Sequence, residues 1–194
     1  MVRIIAGEFR SRQLLTVRED FESRPFLDRV KESVFGMLHE WFDGARVLDL
    51  FAGVGTVGLE AVSRGAAQVL MVEKNPRIFR VLRENIERLG CGDRAAALLG
   101  DALGQACLAE APRPCDLVFC DPPYELLREP RSRPRVLEQV GRCRQIMADK
   151  GFVVLRSPLA PEALGPIPGL DGPEAHRYQR QMWVLFYEPA PRRE

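Results

Sequence analysis

The sequence predicts an α/β protein, a mostly parallel sheet flanked by helices and preceded by a small β-hairpin. Three observations carry that expectation. From Ala45 onward, short apolar runs alternate with helical stretches, the pattern of a parallel sheet covered on both faces. The first apolar run ends in a glycine-rich turn between Asp49 and Gly58 that leads into a helix. The β-rich run 182–187, after a Pro/Gly-rich connection at 158–173, supplies antiparallel strands at one edge.

In chain order, residues 2–17 read as a hairpin, an appended arm in which Ile4, Ile5, Leu14, Leu15 and Val17 flank a polar centre at 7–12. A helix follows over about 27–41. Strands are expected at 46–51, 68–73, 95–99, 116–120 and 151–156, compact enough to be buried on both faces. Helices fill the gaps at 55–64, 76–89 and 135–148. The second carries Ile78, Val81, Leu82, Ile86 and Leu89 on one face, starts at the Asn75 cap with Pro76 in its first turn, and ends at Gly90. The organisation is thus a hairpin extension at 1–22, a main domain at 23–188 and a flexible tail at 189–194.

With 194 residues, 46% hydrophobic and 28% charged, the chain is long enough to bury a core without cross-links. Its five cysteines form no Cys-x-x-Cys pair, so neither a disulfide framework nor a metal site is expected, and a reducing cytoplasmic setting is. No apolar run approaches a membrane span. The net charge of +1 conceals two basic stretches: Arg3, Arg10, Arg12 and Arg18 near the start, and Arg128, Arg131, Arg133, Arg135, Arg142 and Arg144 later. Guanidinium forks suit phosphate contact, although such a run is as readily a solvated surface.

Chemistry is concentrated in two motifs. The turn Asp49-Leu-Phe-Ala-Gly53-Val-Gly55-Thr-Val-Gly58 contains Gly-x-Gly-x-x-Gly, and Glu73 lies about 20 residues on, where a ribose-binding acid belongs. These residues alone fit a dinucleotide oxidoreductase and an S-adenosylmethionine (SAM) enzyme equally. Asp49 favours SAM, because a carboxylate repels a pyrophosphate and attracts the ammonium of an amino acid. Asp101, after the third strand, is placed to accept from the adenine amine.

The second motif, Asp121-Pro122-Pro123-Tyr124, follows the apolar strand at 116–120. Two prolines hold the chain extended, so the Asp121 carboxylate and the Pro122 carbonyl can both accept hydrogens from one planar amine, while Tyr124 offers a ring for stacking. That arrangement suits methylation of an exocyclic amino group on a base, with positioning and placed acceptors supplying the acceleration.

Together with Arg3-Ile-Ile-Ala-Gly7, Arg10-Ser-Arg12, Arg24-Pro25, Asp28-Arg29-Val-Lys-Glu32, Gly58-Leu-Glu60-Ala, Ser63-Arg64-Gly65-Ala and Glu73-Lys-Asn75, these motifs resemble the RsmD family of bacterial 16S ribosomal RNA methyltransferases across almost the whole chain. The resemblance implies a Rossmann-like class I SAM-dependent methyltransferase fold, a mostly parallel seven-stranded sheet with an antiparallel C-terminal strand plus the N-terminal hairpin. It implies methylation of a guanine 2-amino group by a monomer, with 16S ribosomal RNA in a small-subunit particle or assembly intermediate as partner. The implied catalytic residues are Asp121, Pro122, Pro123 and Tyr124. Cofactor binding falls to Asp49, Phe51, Ala52, Gly53, Gly55, Glu73, Lys74, Asp101 and Ala102. RNA contacts are expected from Arg3, Arg10, Arg12, Arg29, Arg133 and Arg135, with Arg10 and Arg12 projecting from the hairpin tip to grip the backbone around the target base. Phe26 and Leu27 stand where relatives usually carry threonines. The rival readings are a DNA adenine or cytosine amino-methyltransferase, an NAD-dependent oxidoreductase, which leaves Asp121 to Tyr124 without a role, and a non-enzymatic RNA-binding protein, which needs no acid at the strand ends.

Overall fold

The computed structural model describes residues 2–17, 28–179 and 181–191. The proposed boundary at 22/23, the start of the first helix and Arg24, Pro25, Phe26 and Leu27 lie outside them. Strands β1 (Val2–Arg3) and β2 (Gln13–Leu14) form the antiparallel hairpin, followed by α1 (Asp28–Met37) and a 3-10 turn (His39–Trp41). Then come β3 (Arg46–Leu50), α2 (Gly58–Ser63), β4 (Gln68–Glu73), α3 (Pro76–Leu89), β5 (Ala95–Leu99), α4 (Ala106–Ala109) and β6 (Cys115–Cys120). The chain finishes with α5 (Tyr124–Arg128), α6 (Arg133–Arg142), β7 (Met147–Ser157), β8 (Leu170–Gln179) and β9 (Met182–Pro189).

The main sheet has seven strands in the order β5-β4-β3-β6-β7-β9-β8. Five run parallel, and β9 lies antiparallel between β7 and β8. Leu48, Leu50, Val118 and Leu155 face one core layer, and Val47, Met71, Leu117, Phe119 and Val154 face the other. Such two-sided burial is why these strands are continuous apolar runs.

Several boundaries move for local reasons. The helix after the glycine turn begins at Gly58 rather than residue 55, because Gly55 has φ +92°, outside the right-handed helical region. The helix expected over 135–148 spans Arg133–Arg142 and tightens into a 3-10 turn, and β7 starts at Met147, inside that span. Part of the expected Pro/Gly connection is strand: β8 runs through Gly172 and Pro173 at the sheet's edge, where Pro is tolerated, with a register shift there. Pro189, assigned to the tail, ends β9.

The hairpin is not an arm hung on the surface. Ile4, Phe9 and Leu14 are buried in the core layer shared with α1, α2 and α3, each contributing about 1.5–3 kcal/mol of burial. The Glu60 carboxylate, fully buried on α2, accepts the backbone N–H groups of Ile5 (2.7 Å) and Ala6 (3.0 Å), and meets Lys31 at 3.5 Å and Arg64 at 2.9 Å. Lys31 also donates to the Arg3 carbonyl. Gly7 (φ +83°) crosses so close to α2 that a Cβ there would lie 1.8 Å from the Ser63 carbonyl oxygen. Asn85 of α3 holds the backbone of Leu15 on both sides and reaches the Val54 carbonyl.

Candidate functional site

The carboxyl ends of β3, β4, β5 and β6 lie along one edge of the sheet, where open α/β folds bind ligands. Asp49 is 1% exposed there, and its Oδ2 accepts the Gly58 N–H at 2.8 Å, at the start of α2. Glu73 accepts the Gly53 N–H on Oε2 (3.1 Å) and the Asn75 N–H on Oε1 (2.6 Å), so both oxygens are aimed while each can accept a second hydrogen. Between them Phe51, a non-glycine residue, is held at φ +64°, followed by Gly53 at +58° and Gly55 at +92°. Left-handed backbone at a bulky residue costs energy and concentrates at ligand sites. Ala52 is buried, its N–H donating to the Val72 carbonyl. Lys74 is exposed.

Asp101 follows β5 and is tied in by the Gly100 N–H donating to the Glu73 carbonyl. Its own carboxylate accepts the Leu103 N–H at 2.9 Å and is exposed, and Ala102 is buried beside it. Leu99, which sequence reasoning passed over, is 48% exposed and lies opposite Glu73 in the ladder, an apolar surface on the same rim.

Electrostatics distinguishes the ligands this turn can hold. Burial, and secondarily the nearby charges of Asp121 and Glu73, push the Asp49 carboxyl up to about 8 against the Gly58 N–H, which pulls it down. The backbone donors that would cradle a pyrophosphate are committed inside the protein: Gly53 to Glu73, Gly55 to the Ala52 carbonyl and Gly58 to Asp49. The turn therefore suits a cationic ligand and not a dinucleotide phosphate.

Asp121 extends β6 one residue past Cys120, and Pro122 is buried behind it. Pro123 precedes α5 with extended backbone, and its carbonyl accepts the Leu126 N–H. Tyr124 is 7% exposed, and its ring has the guanidinium carbons of Arg156 and Arg128 at 5.3 Å and 5.5 Å from its centroid. A stacking base must therefore compete with these cations. Arg128 is exposed and donates to Gln181 at 2.8 Å. Arg156, absent from the expected site, ion-pairs with Asp121. Its signal in the sequence is one arginine ending an otherwise apolar strand.

The expected RNA contacts separate. Arg133 is turned inward, donating to the carbonyls of Leu127 (2.7 Å), Arg128 (3.1 Å) and Ala163 (3.5 Å), so its fork holds α5 to α6 and is withdrawn from phosphate contact. Arg135 and Arg29 are exposed. Arg3, Arg10 and Arg12 are exposed too, but the hairpin turn lies at the wrong end for the expected grip. Glu8 pairs with Arg94, directly before β5, and Gly7 abuts Ser63 at the end of α2. This is the amino edge of the parallel strands, a strand length, roughly 17–20 Å, from Asp121.

The family described as "Conserved hypothetical protein 95" matches residues 2–186. A Bacillus subtilis protein named "Putative rRNA methyltransferase YlbH" is 33% identical over 171 residues, 86% of this chain and 89% of that protein. The Escherichia coli "Ribosomal RNA small subunit methyltransferase D" is 37% identical over 123 residues, 63% of this chain and 60% of that protein. The solved structure of "Putative methyltransferase yhhF" from Escherichia coli superposes with a TM-score of 0.79 at 28% identity, covering 97% of each chain.

Proposed function

The chain belongs to the Conserved hypothetical protein 95 family, the RsmD family, and from that premise we propose that it methylates the exocyclic 2-amino group of a guanine in small-subunit ribosomal RNA, using SAM. The observation that carries the cofactor is the buried Asp49 carboxyl, which burial and the nearby charges of Asp121 and Glu73 hold back from ionising and whose ionised form a cation would favour. Asp49 faces the ammonium of the amino-acid end, Glu73 takes the ribose hydroxyls, Asp101 takes the adenine amine, and Leu99 and Phe51 offer apolar contact. The Bacillus subtilis and Escherichia coli relatives carry ribosomal RNA methyltransferase names, which supports the substrate class.

The cofactor, when bound, would supply an electrophilic methyl group on a sulfonium, held by Asp49, Glu73 and Asp101, and the amine that takes it up would release one proton to solvent. A guanine 2-amine is a poor nucleophile because its lone pair is delocalised into the ring. Asp121 and the Pro122 carbonyl accept its hydrogens and favour the tetrahedral nitrogen that attacks, Pro123 fixes the turn, and Tyr124 orients the base. Exposed Arg3, Arg10, Arg12, Arg29 and Arg135 are the RNA contacts of this reading, Arg29 on the first turn of α1 and the hairpin pair on the far edge.

The test is incubation of the chain with labelled SAM and, separately, small ribosomal subunits, free ribosomal RNA and DNA, followed by nucleoside analysis. N2-methylguanosine from the ribosomal substrates is expected. Label in DNA adenine or cytosine, or in no nucleoside, overturns the proposal.

A further inference from the structure

Strands β6 and β7 run parallel with Cys120 opposite Leu155, so the next residues, Asp121 and Arg156, are neighbours across the carboxyl edge. The Arg156 Nε–H donates to Asp121 Oδ1, and the same guanidinium lies 5.3 Å from the Tyr124 ring centroid. The Arg156 side chain is 4% exposed and that of Asp121 18%, so the arginine is shut in while the carboxylate still opens to the site. An arginine does not shed its charge in a protein and is tolerated in the interior only when paired. It therefore grips Asp121 at one oxygen.

We propose that Arg156 is a positioning residue for the methyl transfer: it anchors Oδ1 of Asp121 and braces Tyr124, so that the other carboxylate oxygen is presented to the amine. The proposal rests on the reading of Asp121 as the amine acceptor. Asp121 must also stay ionised to act in this way. Among the described residues, the charged and titratable groups around it are Arg156 from β7, Asp49 from β3, the Cys120 thiol on β6 itself, and Arg128 beyond the Tyr124 ring. Burial pushes the Asp121 carboxyl up, and Arg156, by charge and hydrogen bond, pulls it back.

The experiment compares the full chain with Arg156→Gln and Arg156→Lys, measuring kcat for ribosomal RNA methylation from pH 5.5 to 9.5 at saturating SAM, so that titrations of the cofactor-free site drop out. For Arg156→Gln the acid limb moves up by about one pH unit or more, so turnover at a pH on that limb falls about tenfold and recovers as the pH rises past it. KM for SAM stays within about twofold. Arg156→Lys, which keeps the charge, restores most of the low-pH activity. An Arg156→Gln profile superimposable on wild type overturns the proposal, and so does a pH-independent loss that lysine fails to rescue. If Arg156→Gln does not fold, carbon-13 titration of Asp121 in Arg156→Met, which also removes the charge, decides: a midpoint raised above wild type supports the proposal and an unchanged one overturns it. Wild-type chain that methylates no RNA refutes the function instead, and the same titration still reports on the pair.

Discussion

The two edges of the parallel sheet are built on opposite electrostatic principles. At the hairpin, the buried Glu60 is answered by Lys31, Arg64 and two backbone N–H groups, a network of opposite charges with its hydrogen bonds made. At the carboxyl ends, Asp49, Glu73 and Asp121 crowd together, Phe51 is held in left-handed backbone, and Asp49 resists ionisation. The first arrangement stabilises the fold, and the second is relieved by a cationic ligand. Buried charge alone therefore does not mark a functional site; the functional edge is marked by Asp49, a buried carboxylate whose charged neighbours are acids, beside an Asp121 that Arg156 pairs.

The largest effect that separates the edges is expected at Glu60. Glu60→Ala leaves Lys31 buried without its carboxylate and two N–H groups unpaired, at a cost of about 3–5 kcal/mol in urea denaturation; a loss below about 1 kcal/mol would break the contrast. Asp121→Ala acts on the other edge: kcat falls about 10²–10³-fold, roughly 2.7–4 kcal/mol of barrier, with SAM affinity nearly unchanged, and wild-type turnover would remove Asp121 from the chemistry.

A sharper test is the pH dependence of cofactor binding. With the free Asp49 carboxyl at about 8, a cationic ligand favours the ionised form, so SAM binding displaces a proton below that pH. Calorimetry should show affinity rising from pH 6 to 8, at most about tenfold per unit, and levelling above. Asp49→Asn should flatten that rise. Because the folded-state value lies above the unfolded one, the same group makes the ligand-free fold less stable as pH rises from about 4 to 8, and Asp49→Asn should raise Tm more at pH 8 than at pH 5. The smallest effect belongs to the far-edge arginines. Arg10→Ala with Arg12→Ala should lower the log–log salt slope of RNA binding by up to about 1.4, at about 0.7 per lost single-strand phosphate contact, without moving SAM affinity. Arg133→Ala should leave that slope unchanged and lower Tm.

Much of this was legible in the chain. Strands at Gln68–Glu73 and Ala95–Leu99 and the helix Pro76–Leu89 coincide with the expected ones, because continuous apolar runs and the Asn75, Pro76 and Gly90 signals are local chemistry. The Asp49 and Asp121 motifs sit at strand ends for the same reason. Less legible was β8, whose Gly172 and Pro173 look like loop and whose strand state comes from pairing with β9. Arg133 and Arg135 look alike in sequence, and only the carbonyls around Arg133 separate them.

The sequence by itself determined the alternation of strands and helices, the glycine turn and the Asp-Pro-Pro-Tyr turn, since each depends on residues within a few positions of one another. Tertiary structure decided which charges meet. Arg156 lies 35 positions from Asp121 and reaches it through the β6–β7 register; Glu60 lies 54 and 55 positions from the amides it holds; and the hairpin turn is carried to the edge opposite Asp121 by the space Gly7 leaves at Ser63. Such pairings are set by packing, and no periodicity along the chain encodes them.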